Sequence, residues 1–213
     1  MAQSYTGPIF SGQPDWARVP IARLESFHWE KESPYRPASF AQLCAVRGEG
    51  IFVRMWSFES PIRAVAAKRD DPVYQDSCLE CFLNPFPAQQ NSYINFEMNP
   101  NGVFFNGVWL GTEGRERLSR LTEQSPSVTP FTLPSPQGGT LGACCCSCPA
   151  SWWNRFIISP FPLRQLRWQA IFINAAMKRR ILILAHISQW GSAELGFHNP
   201  QCFGRIELAD KID

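Results

Sequence analysis

Apolar and polar residues alternate at every second position through much of the chain, while helical spacing is scarce. Ala41 to Val46 is an apolar run that ends at Gly48-Glu49-Gly50, and Ile51 to Phe58 resumes beyond it. The pattern predicts two strands joined by a tight turn. Ser77 to Leu83 and Tyr93 to Met98 predict a third and a fourth strand. Val103 to Phe105 predicts a fifth, reached through the turn Asn99-Pro100-Asn101-Gly102, and Phe203 to Leu208 predicts a closing strand. Trp16 to Leu24 reads as a lead-in and Glu32 to Pro37 as turn-rich chain. Arg115 to Leu121 is the best helical stretch, and Gln124 to Gly139, rich in Ser, Pro and Gly, reads as a loop. Short strands between Pro and Gly turns predict an all-β fold. The expected form is an antiparallel, jelly-roll-like β-sandwich, a single domain over residues 1–213.

Alternation also assigns faces. From Asp76 to Leu83, one row holds Leu79, Cys81 and Leu83, and the other holds Asp76, Cys78, Glu80 and Phe82. In the next strand Ile94, Phe96 and Met98 are the apolar row, opposite Tyr93, Asn95, Glu97 and Asn99. Strands sharing a sheet would thus gather acids, amides and rings on one face and aliphatic side chains on the other. A solvated sheet face has this pattern too, but these polar rows contain no Lys or Arg and combine rings with hydrogen-bonding groups. That combination suits a sugar, whose C–H face lies on flat rings while its hydroxyls pair with carboxylates and amides. Phe52, Arg54, Trp56 and Phe58 form a further row, expected to be sandwich core and edge rather than a ligand platform.

Composition narrows the partners. The net charge of +2, with Lys and Arg scattered apart from Lys178-Arg179-Arg180, gives no reason to expect nucleic acid or an anionic membrane. No stretch has the roughly 20 apolar residues of a membrane span, and the N-terminus lacks the pattern of a secretory signal, so a cytoplasmic location is expected. The eight Cys residues, four of them bunched in Cys144 to Cys148, read as reduced thiols rather than a disulfide framework.

Three segments together resemble a known family: Pro72-Val73-Tyr74-Gln75-Asp76-Ser77-Cys78-Leu79-Glu80, Tyr93-Ile94-Asn95-Phe96-Glu97-Met98-Asn99, and Phe197-His198-Asn199-Pro200 leading to Phe203-Gly204. The pattern is similar to the family 9-like carbohydrate-binding modules, with a DOMON-like β-sandwich, and closest to their intracellular branch. It covers about the first two-thirds and the last thirty residues. The resemblance implies non-catalytic binding of a mono- or oligosaccharide clamped between two rings. Tyr74 would supply one ring, six residues before Glu80, and Trp190 resembles the second. Asp76, Glu80, Asn95, Glu97 and Asn99 would supply polar groups. No cofactor is implied, although structural calcium occurs in some members, for which the adjacent Asp70 and Asp71 are the available carboxylates.

Between Thr140 and about Ala185 the resemblance fails. Cys144-Cys145-Cys146-Ser147-Cys148 followed by Trp152-Trp153 is unusual for a strand. The family pattern has here an apolar strand ending in Pro, and later Asn-Phe-Tyr-Lys-Cys-Gly-Asp-Glu before a Pro-His pair. Consecutive Cys codons read one base earlier give Leu. The same shift turns Trp153 into Val and Asn154 into Glu, and it permits the expected block across Ile171 to Ile183. The segment therefore reads as a compensated frameshift, entered near Gly139 and left near Ala185. It brings in Arg164, Arg167, Lys178, Arg179 and Arg180, and burying an unpaired charge costs several kcal/mol against a total stability of about 5–15 kcal/mol. The stretch is expected to be atypical, displaced or poorly ordered, with binding impaired.

Other chemistries compete. Cys78-x-x-Cys81 and Cys145-x-x-Cys148 have the spacing of zinc ligand pairs, but residues three apart on a strand point to opposite faces, so zinc is not expected. A glycoside hydrolase acting on small saccharides is the main alternative. Asp76 and Glu80, four apart on one strand, would lie about 13 Å apart, beyond the roughly 5–9.5 Å that such chemistry uses; Glu97 is the other available partner. A protein-interaction sandwich is the third reading. His28, His186 and His198 have no triad context, and no nucleophile elbow, phosphate loop or dinucleotide fingerprint occurs.

Overall fold

A computed structural model describes residues 4–27, 36–59, 61–84, 92–109, 114–121, 123, 125–131, 142–149, 167–175, 185–186 and 203–210; of residues 26–27, 142–149, 167–175 and 185–186 it describes the backbone. In chain order the strands are β1 (Ser4–Phe10), β2 (Ala22–Leu24), β3 (Ser26–Phe27), β4 (Ala38–Val46), β5 (Gly50–Phe58), β6 (Cys78–Asn84), β7 (Tyr93–Met98), β8 (Phe104–Trp109) and β9 (Arg115–Arg117), then β10 (Ser127–Phe131), β11 (Gly142–Pro149), β12 (Arg167–Ala175), β13 (Ala185–His186) and β14 (Gly204–Ala209). One four-residue helix, α1 (Leu118–Leu121), follows β9.

The strands form two layers. One runs β14-β12-β6-β7-β8-β9 and the other β10-β11-β5-β4, with β2 beside β4. β1 belongs to both: Ser4 to Pro8 pair with β14, and Ile9 and Phe10 pair with β4. Both pairings are parallel, which departs from a wholly antiparallel sandwich. Gly7-Pro8 marks the crossing. A Cβ on Gly7 would sit 2.4 Å from the Leu43 carbonyl oxygen, so only glycine permits that approach, and Pro8 has no N–H with which to extend a ladder.

The core lies between the layers. Leu79, Cys81, Leu83, Ile94, Phe96, Met98 and Val108 face it from the first sheet, and Ala41, Leu43, Ala45, Ile51, Val53 and Met55 from the second. Tyr5 stitches β1 to β4: its hydroxyl donates to the Pro20 carbonyl (2.7 Å) and accepts from the Leu43 N–H (3.0 Å).

Several elements differ from the sequence expectation. Arg115 to Leu121 is a strand followed by a single helical turn rather than one helix, because Arg115 to Arg117 extend the sheet beside β8. Ser127 to Phe131, within the expected loop, is an edge strand against β11. The row Phe52, Arg54, Trp56 and Phe58 lies off the main core: Ile51, Val53 and Met55 take the inward positions, and on the opposite face Trp56 is buried in a small separate cluster with Phe40, Phe58 and Phe131. There Trp56 stacks on Phe40 at 5.3 Å, and the Arg54 guanidinium lies 4.3 Å from the Phe131 ring centroid. Within the segment expected to be displaced, Gly142–Pro149 pairs with β5 and Arg167–Ala175 lies between β14 and β6. Backbone hydrogen bonding, which does not depend on side-chain identity, suffices to place both spans in the sheets. Arg164, Lys178, Arg179 and Arg180 lie outside the described residues.

Candidate functional site

The ladder of the first sheet assembles the site. Antiparallel pairing sets Glu80 opposite Glu97 and Phe82 opposite Asn95. On the next strand Glu97 faces Phe105, Asn95 faces Gly107 and Tyr93 faces Trp109. Beyond that, Trp109 faces Arg115 and Gly107 faces Arg117. Opposed residues point the same way, so these side chains share the face turned away from the core. The strand alternation read from the sequence does bring Glu80, Asn95 and Glu97 together.

That face is covered rather than open. Glu80 and Glu97 are each 4% exposed and Asn95 is fully buried. Phe82, Tyr93, Trp109 and Phe203 wall one end: Tyr93 stacks on Trp109 at 5.6 Å, and Phe203 meets Phe82 and Tyr93 edge-on at 6.2 and 5.6 Å. Phe105 and Trp109 are half-buried and Arg115 is exposed, and the three form the accessible rim.

Arg115, which sequence reasoning missed, completes the cluster. Its Nη2 donates to Glu97 Oε1 at 3.0 Å, and Asn95 Nδ2 donates to the same oxygen at 2.5 Å. The guanidinium lies 4.4 Å from the Phe105 ring centroid, in cation–π range. Glu97 Oε2 and Asn95 Oδ1 are buried and accept no hydrogen bond from the described residues. Room for the arrangement comes from Gly107, where a Cβ would lie 2.5 Å from Asn95 Oδ1 and 2.8 Å from Arg115 Nε.

Burial dominates the electrostatics. It raises the Glu80 carboxyl well above its ordinary range, and the Glu97 charge pushes the same way while Arg115 opposes. Burial also lifts Glu97 to about 7, against the pull of Arg115 and Asn95. An unfolded glutamate ionises near 4.5, so the folded state holds protons that the unfolded chain releases. This contribution is complete below about pH 4.5 and is lost as pH rises through about 7. Urea unfolding should show stability falling across that window, with the fall flattened in Glu80→Gln. A flat or rising profile in the native protein would refute this electrostatic assignment.

Tyr74 lies outside the strands that carry Glu80 and Glu97, on the 3-10 turn Val73–Gln75, and the residue is 39% exposed. Asp76 and Asn99 are scaffold rather than free sugar partners. Asp76 accepts from the Val65 and Ala66 N–H groups at 3.0 and 2.9 Å and from Asn99 Nδ2 at 3.0 Å, and Arg63 Nε lies 3.5 Å away. Asn99 also donates to the Ala66 carbonyl and accepts from the Asn101 and Val103 N–H groups, which uses its amide within the loops. Trp190 lies outside the described residues.

Among the described residues, no group of three or more His, Cys, Asp or Glu is placed to hold a metal ion. Asp71 Oδ2 accepts from the Ala67 and Lys68 N–H groups, and Asp70 Oδ2 from the Ser119 hydroxyl. Cys78 and Cys81 are buried thiols on opposite faces of β6.

Residues 13–129, more than half of the chain, match the family model described as carbohydrate-binding family 9. The chain belongs to that family. The family 9 match runs from β2 into β10 and so contains Tyr74, Glu80, Asn95, Glu97 and Arg115. The fold is similar to that of a Bacteroides uniformis protein assigned to carbohydrate binding, at TM-score 0.80 and 19% identity over 98% of this chain and 100% of that one. It is also similar to a family 9 carbohydrate-binding module from Caldicellulosiruptor kristjanssonii, whose structure holds cellotriose. There the TM-score is 0.60 and the identity 15%, over 99% of this chain and 96% of that one. At these identities the likeness establishes the fold. No curated protein matches the chain.

Proposed function

We propose that the protein binds a mono- or oligosaccharide without altering it, at the rim where Phe105, Trp109 and Arg115 open onto Glu80, Asn95 and Glu97, with Tyr74 as an exposed ring. The observation that carries this reading is the pair of buried acceptors, Asn95 Oδ1 and Glu97 Oε2, which lie beside aromatic walls and have no donor among the described residues. Sugar hydroxyls supply donors, and the rings take the C–H face. Family membership and the cellotriose held by a protein of the same fold support the ligand class.

Calorimetric titration with a panel of mono- and oligosaccharides tests the proposal. Binding is expected, and Tyr74→Ala should weaken it about tenfold, which corresponds to about 1.4 kcal/mol of lost stacking. Silence across the panel would refute it.

Hydrolysis has one observation in its favour, since Glu80 and Glu97 face each other across adjacent strands. Burial, however, holds both toward the neutral acid, whereas glycoside cleavage needs one carboxylate ionised. Turnover of a chromogenic glycoside that vanishes in Glu80→Gln would favour hydrolysis over binding.

A further inference from the structure

We infer that the Glu80–Asn95–Glu97 cluster takes a sugar bearing a free amino group, a hexosamine, in preference to the neutral hexose of the same shape. This rests on the carbohydrate-binding reading and deepens it. Among the described residues, the groups facing the cluster are two carboxyls, one from β6 and one from β7, the Tyr93 ring, and the arginines of β9. On its other side β6 pairs with β12, where Ile173, an uncharged residue, stands opposite Glu80. β8 contributes Phe105, Gly107 and Trp109, none of them charged. Arg115 binds one oxygen of Glu97. Arg117 is exposed, at 5.9 Å from the Phe105 centroid, so water screens its charge. Burial holds the empty cluster toward its neutral acids, but an ammonium set against the carboxyls favours their ionised form. Two negative charges then face the single arginine in contact with them, one positive charge short.

The unmet hydrogen-bonding capacity has the same sign. Glu97 Oε2 and Asn95 Oδ1 are both acceptors, and both are buried. A hydroxyl brings one donor and no charge, whereas an ammonium brings three donors and the missing charge. Access runs past Arg115, whose side chain is about one-third exposed (34%) while Glu97 beneath it is 5% exposed. Acetylating the amine removes its charge, and a uronate adds charge of the wrong sign.

Calorimetry of the full chain at pH 7 with glucosamine, glucose, N-acetylglucosamine and glucuronate tests the inference. Glucosamine should bind about tenfold more tightly than glucose, with N-acetylglucosamine and glucuronate weaker than glucosamine. Glu80→Gln should bring the glucosamine-to-glucose ratio close to one, and circular dichroism should confirm that the variant is folded. If that variant fails to fold, the ratio measured in the native protein at pH 5 replaces it. Protonated carboxyls should then erase the preference. Glucose binding as tightly as glucosamine would overturn the inference and leave carbohydrate binding standing, whereas no heat from any sugar would overturn both.

Discussion

Asp76→Ala is expected to cost about 3–5 kcal/mol, the largest effect of any single change near the site. The carboxylate is 1% exposed and collects the Val65 and Ala66 N–H groups and the Asn99 amide, with Arg63 alongside. Alanine would leave the Val65 and Ala66 N–H groups without this acceptor in a place water reaches poorly, and it would remove one of the acceptors of the Asn99 amide and the carboxylate beside Arg63. Asp76→Asn keeps one oxygen but turns an N–H₂ toward backbone donors, so it should recover little. Urea midpoints at unchanged slope measure the effect. Because the same carboxylate pins the chain from Arg63 to Ala66 against the turn that carries Tyr74, sugar affinity should fall with stability. A loss below about 1 kcal/mol would show that Asp76 does not organise these loops.

Gly107→Ala should lower sugar affinity by about tenfold or more and destabilise the fold by about 1–3 kcal/mol. The backbone at 107 tolerates alanine, since only Gly48, Gly50, Gly102 and Gly114 among the described glycines have positive φ. On conformational entropy alone the change would gain about 0.4–1 kcal/mol. Space decides otherwise: the new methyl would overlap Asn95 Oδ1 and Arg115 Nε and press on the Phe105 ring at 3.3 Å. Asn95 is buried and has nowhere to go, so Arg115 must swing out and release Glu97. Adding Arg115→Ala to Gly107→Ala should restore part of the lost stability, because the clash with the guanidinium is then relieved while that with Asn95 remains. Native-like sugar binding by Gly107→Ala would mean that the Arg115–Glu97 contact is irrelevant to recognition.

The architecture was legible where alternation was strict. In β7, Ile94, Phe96 and Met98 do face the core and Asn95 and Glu97 do face the other way, as period two requires. The acidic and amide residues that meet across β6 and β7 followed from the same rule. Arg115 did not, because its helical-looking neighbours hid a three-residue strand whose register, set by β8, carries the guanidinium to Glu97. Nor did the burial of the polar row. Alternation says which way a side chain points, but not what lies over it; here Phe203, from the last strand region, closes part of that face. Asp76 shows the same limit in another form. It shares a strand row with Glu80, yet the chain curls at Val73–Gln75 and turns its carboxylate toward backbone amides of residues about ten positions earlier. β1 was missed because Gly7-Pro8 looks like a strand breaker, when it is the point at which the strand changes partners.

That change of partners bears on how the protein emerges from the ribosome. Ser4 to Pro8 find their β14 partners about two hundred residues later, at Arg205 to Ala209. At roughly 5–20 residues per second, this segment waits many seconds with unsatisfied backbone groups. Sequence separation of this kind slows folding and leaves a strand edge open to pairing with neighbouring chains. Synthesis of this protein should therefore lean on chaperones that shield Ser4 to Pro8 until β14 has been made.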